Sequence, residues 1–201
     1  MPDLTVPPVP AVIPVGTTPT TERPVRTVAR WLVTFTGFPL GGLAAHVVVG
    51  PVDGPGRALA GGLLAGAILG AVQAWGLGPA RPRPARWIVA TAIGLAAGLT
   101  AGAAAVGYGV GLADLTTMGA VCGLAVGAAQ SLVLRDRLGR WSAAWPPALA
   151  AAWALGWAIT TAAGVVVDER FTTFGSSGAV TVALLTTVLP LALTHTTRSP
   201  S

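Results

Sequence analysis

The sequence predicts an all-α polytopic membrane protein of six transmembrane helices, and three observations lead there. Of 201 residues, 53% are hydrophobic and only 9% are charged, against about a quarter charged in a soluble domain. Cutting the chain at its charges leaves six uncharged runs, residues 31 to 52, 58 to 80, 87 to 113, 115 to 134, 141 to 167 and 171 to 197. Each has at least 20 residues, enough to cross roughly 30 Å of hydrocarbon as a helix. Ten of the twelve basic residues fall in alternate connections, the asymmetry that orients membrane proteins. Other classes are excluded by composition. A single cysteine, Cys122, cannot build a disulfide scaffold. The net charge of +5 has no basic domain outside the apolar runs, so no nucleic-acid partner is expected.

Taken in order, residues 1 to 26 read as a disordered cytoplasmic tail, because Pro2, Pro7, Pro8, Pro10, Pro14 and Pro19 leave no periodic face. Residues 27 to 197 form the six-helix domain, and 198 to 201 a short cytoplasmic tail. Arg23, Arg26 and Arg30 precede the first run, which is long enough to remain as an anchor. Arg81, Arg83 and Arg86 separate the second from the third, Arg135, Arg137 and Arg140 the fourth from the fifth, and Arg198 follows the sixth. The alternate loops hold only Arg57 and Arg170, with the acids Asp53, Asp114, Asp168 and Glu169. The expected location is the cell membrane, multi-pass, with both termini in the cytoplasm. Trp31, Trp75, Trp87, Trp141 and Trp145 fall at run ends on that same side and read as interface anchors. Trp153 and Trp157 lie deeper, facing lipid or packed between helices.

An internal repeat underlies the runs. An offset of 57 residues aligns Gly62, Gly66, Gly70 and Gln73 with Gly119, Gly123, Gly127 and Gln130. An offset of 58 places Trp87, Gly94 and Gly98 on Trp145, Ala152 and Gly156. The first run (Trp31, Gly37, Gly41) and the sixth (Gly178, Val182, Thr186) fit more weakly as the missing partners. The expectation is three helical hairpins entering the membrane in the same direction, related by an axis along the membrane normal. Small residues four apart lie on one helix face and allow close backbone approach in lipid. Gly62, Gly66 and Gly70 form one such glycine zipper and Gly119, Gly123 and Gly127 another. The pattern GxxxGxxxGxxQxxxL, an arginine loop and a tryptophan, occurring twice over roughly residues 60 to 165, resembles uncharacterised multi-pass membrane proteins of several bacterial groups. That resemblance implies a membrane location and no particular activity.

Few residues carry chemistry. Gln73 and Gln130, amides inside the bilayer, must find partners, either as glue between helices or as contacts for a solute or ion. Asp53, Asp114 and Asp168 recur near hairpin tips and read either as an outer acidic cluster able to hold a cation or basic solute, or as solvated loop acids. Val106 to Gly109 spell the core of a potassium-channel filter, but they close a long spanning run, so Tyr108 reads as an outer interface anchor. His46, His195 and Cys122 are scattered and form no metal set. No cofactor, metal site or catalytic residue is expected. The expected partners are the lipid bilayer and a membrane-protein partner or second copy. The expected role is a structural or accessory membrane component. The alternative is a small-solute transporter or membrane substrate-binding subunit, since size and span number are similar to the substrate-capture subunits of vitamin importers. A cavity at mid-depth lined by Gln73, Gln130, Thr91 or Thr160 would favour the alternative, and a dry, zippered centre the structural role.

Overall fold

The structure, a computed structural model, describes residues 24–165 and 176–196. Among these residues every regular element is helical. Five stretches are long and apolar enough to cross a bilayer: Pro24–Val49, Pro55–Gly76, Pro84–Ala105, Leu112–Ala162 and Ser177–Thr196. The first joins α1 (Pro24–Val33) to α2 (Gly37–Val49) through a 3-10 turn at Thr34–Thr36. The second and third are the single helices α3 (Pro55–Gly76) and α4 (Pro84–Ala105). The fourth, 51 residues long, contains α5 (Leu112–Leu138), a 3-10 segment at Gly139–Ala144 and α6 (Trp145–Ala162). The last holds α7 (Ser176–Leu185) and α8 (Val188–Thr196). Helix α1 starts at Pro24, so the last three residues assigned to the N-terminal tail are helical. Residues 1–23, 197–201 and Asp168 lie outside the described residues.

Proline explains where these helices start and where they bend. Pro55, Pro84 and Pro146 stand in the first turns of α3, α4 and α6, where the missing N–H would be unpaired in any case. Deeper prolines break the ladder, because the ring meets the carbonyl four residues back. Pro39 stands four residues after Phe35, within the 3-10 turn between α1 and α2. Pro190 stands four residues after Thr186, whose carbonyl accepts from the Leu189 N–H instead, at 3.0 Å, and this separates α7 from α8.

Helices adjacent in sequence pack side by side from α2 to α7, and α1 closes the ring by meeting α7 and α8. The glycine rows are the contact surfaces. A Cβ built on Gly62, Gly66 or Gly70 of α3 would stand 2.6, 2.7 and 2.9 Å from the Cα atoms of Ala96, Ala92 and Ile88 on α4. On α5, a Cβ at Gly123 or Gly127 would stand 2.8 and 2.6 Å from the Cα atoms of Ala150 and Pro146, and one at Gly119 would overlap the Trp157 ring of α6. Backbones this close exclude any side chain, and close packing supplies the attraction that a hydrophobic force cannot supply between helices in lipid. Outward-facing Val47, Val48, Val89, Ile93 and Leu132 are exposed and form an apolar girdle matched to hydrocarbon.

Candidate functional site

Near the arginine-bearing ends of the helices, a layer of polar side chains is buried and joined. The Gln73 Oε1 accepts from the Trp87 Nε1–H at 3.2 Å and from the Gln130 Nε2–H at 3.2 Å. Gln130 Nε2 also donates to Thr91 Oγ1 at 2.9 Å, and its Oε1 accepts from the Trp145 Nε1–H at 2.8 Å. Thr91 in turn donates to the Trp87 carbonyl at 2.9 Å. On the far side of the ring, Trp31 Nε1 donates to Thr186 Oγ1 at 3.1 Å. The helix-to-helix seams bring these groups together, since α3, α4, α5 and α6 each contribute one or more.

This corrects the reading of three tryptophans. Trp31, Trp87 and Trp145 are buried, with their indole N–H groups spent on side-chain acceptors between helices. Only Trp75 and Trp141 of the five are exposed in the manner of an interface belt. The two kinds look alike in sequence, because an indole at a helix end suits both the membrane interface and a buried acceptor. Trp153 is buried and packs edge-on against Phe38, ring centroids 5.2 Å apart.

On the opposite side of this layer the ring opens into a cavity of about 660 Å³, within the range of small-molecule sites. All of α2 to α7 contribute to its wall, through residues such as Phe38 and Gly42, Gly61 and Ala65, Leu95 and Leu99, Met118 and Cys122, Trp153 and Trp157, and Val182. The loops at residues 50–53 and 108–110 reach its rim. The cavity exists because small residues stand where the helices face its interior. A Cβ on Gly42 would meet nothing within 4 Å, in contrast to the zipper glycines. Polar groups on the wall are few: His46, Asp53, Tyr108 and Thr160. Gln73, Gln130 and Thr91 do not line it; they lie in the layer beneath.

The acids are engaged locally. Asp53 pairs with Arg57 four residues on, at 2.5 Å, and both are exposed. Asp114 accepts from the Gly111 N–H at 3.2 Å and caps the start of α5. No group of three or more metal-ligating side chains occurs among the described residues. Tyr108, read from the sequence as an interface anchor, stands at the cavity rim with φ 62.

The apolar helices and the buried polar layer define a class, the helical integral membrane proteins. No family model, no curated protein and no solved structure matches the chain.

Proposed function

We propose that the protein crosses the membrane six times as three parallel hairpins and binds a small, largely apolar molecule in a cup that faces outward and is sealed toward the cytoplasm. The observation that carries this reading is the cavity of about 660 Å³, which a purely structural bundle with zippered seams has no use for. The binding alternative is therefore preferred to the structural or accessory role. The reading gives the chain a binding role and no catalytic one, with a membrane-protein partner or second copy to act on what is bound.

Several features support the parts of this proposal. Helices α5 and α6 are each apolar, at 27 and 18 residues roughly 40 and 27 Å long, and a 3-10 segment bearing Arg140 separates them, which supports six crossings. The parallel repeat is supported by its contacts. Gly37 and Gly41 of α2 face Leu69 and Ala65 of α3, and 57 residues on, Gly94 and Gly98 of α4 face Val126 and Cys122 of α5. Trp87 with Gln73, Trp145 with Gln130 and Trp31 with Thr186 form three donor–acceptor pairs of the same kind. The orientation is supported by the arginine split, which puts the polar layer at the cytoplasmic side and the cup outside.

The test is native mass spectrometry of protein extracted in mild detergent. The wild type should retain a small molecule that Gly42→Phe, which adds a ring at a wall position where a Cβ meets nothing within 4 Å, loses while keeping its melting temperature. Retention of the same molecule by Gly42→Phe would place it elsewhere and remove the cup from the function.

A further inference from the structure

The cup's wall points to the class of its ligand. The chain holds 12 Phe, Trp and Tyr residues in all, and Phe38, Trp153, Trp157 and the single tyrosine, Tyr108, line this one cavity. Two polarisable sulfur side chains, Met118 and Cys122, complete the same wall. We propose that the cup binds a planar aromatic molecule carrying a hydrogen-bonding group, an inference that rests on the cup being a binding site.

The rim adds a polar group to that wall. Helix α4 ends with the Tyr108 N–H bonded to the Ala103 carbonyl at 2.8 Å, a cap that needs one left-handed residue, which Gly107 supplies at φ 58. Tyr108 is left-handed as well, at φ 62, because the Gly109 N–H bonded to the Val106 carbonyl at 3.0 Å closes a tight turn whose two central residues both take positive φ. The turn holds the chain's only tyrosine at the cavity rim, where a phenol can meet a hydrogen-bonding group on a ligand.

Physical chemistry separates a flat ring from an aliphatic body of equal size. Ring pairs at offset or edge-to-face geometry gain, beyond area burial, a factor of about 2 to 10 each in affinity. A saturated ring system or an alkyl chain of similar volume buries comparable area and gains none of this. Two ring contacts therefore predict a preference of roughly 4-fold to 100-fold.

Cys122 is buried, so the readout is a single cysteine placed on the open part of the wall, Gly42→Cys in Cys122→Ser, where a Cβ meets nothing within 4 Å. In nanodiscs, its modification by N-ethylmaleimide is followed by mass spectrometry while 2-naphthol, decahydro-2-naphthol or 1-decanol is titrated in. The expected result is modification that 2-naphthol blocks at a concentration at least about fourfold lower than the other two, with that advantage reduced in Tyr108→Gly at unchanged melting temperature. Equal protection by all three, or best protection by decanol, overturns the aromatic assignment and leaves the cup standing. Failure of the cysteine at position 42 to react in the folded protein overturns the cup itself, and with it this inference.

Discussion

Gln130 makes three hydrogen bonds to three helices with one amide: to Gln73 on α3, Thr91 on α4 and Trp145 on α6. Gln130→Leu removes all three and leaves the Trp145 indole N–H buried without an acceptor. The expected loss is about 1 to 3 kcal/mol, the cost of a buried donor left unmet, read as a lower melting temperature in detergent and a change in tryptophan fluorescence. Thr186→Val cuts the single Trp31 bond, leaves that buried indole N–H without an acceptor, and should cost about 1 to 3 kcal/mol as well. Glycines separate into two kinds at this scale. Gly66→Leu and Gly123→Leu push against the α4 and α6 backbones and should destabilise by about 1 to 3 kcal/mol through overpacking. Gly42→Leu meets open space and should leave the melting temperature unchanged. Equal losses at Gly42 and Gly66 would contradict the assignment of seams and cup.

The zipper rows are the most legible elements in the sequence, because the i, i+4 spacing of small residues states directly which face of a helix takes a close neighbour. Gly62, Gly66 and Gly70, read as one row, all lie against α4. The helix breaks were less legible. Pro39 and Pro190 fall inside apolar runs that hydropathy treats as uniform, and only the hydrogen-bond ladder shows the 3-10 turn and the separation of α7 from α8. The arginine-bearing connections carry the topology prediction. With cysteines introduced one at a time into Cys122→Ser, Arg83→Cys and Arg137→Cys should react with an impermeant maleimide only from the cytoplasmic side, and Asp53→Cys and Asp114→Cys only from outside. External labelling at position 83 would reverse the orientation.

At the scale of the whole molecule, the Gln73 and Gln130 layer was legible as a pair of buried amides 57 residues apart, and its role as interhelical glue is the reading that the hydrogen bonds favour. The cup was not legible. Gly42 and Gly61 look like zipper glycines in the sequence, and what distinguishes them is that the facing helix stands away, a property of six helices together and of none alone. Tyr108 reads as an interface anchor from its place at a helix end, and the cavity beside it is a further feature that no single helix shows. Helix α4 runs past both the open cup and the sealed base beneath it. Ala103, Leu99 and Leu95 line the cavity, and Thr91, one turn further, is buried in the hydrogen-bonded layer. Single cysteines at these four positions in Cys122→Ser, reacted with N-ethylmaleimide in nanodiscs, measure access turn by turn. Modification is expected at 103, 99 and 95, and protection at 91. Uniform protection along α4, or reaction at 91 as fast as at 103, would contradict that arrangement.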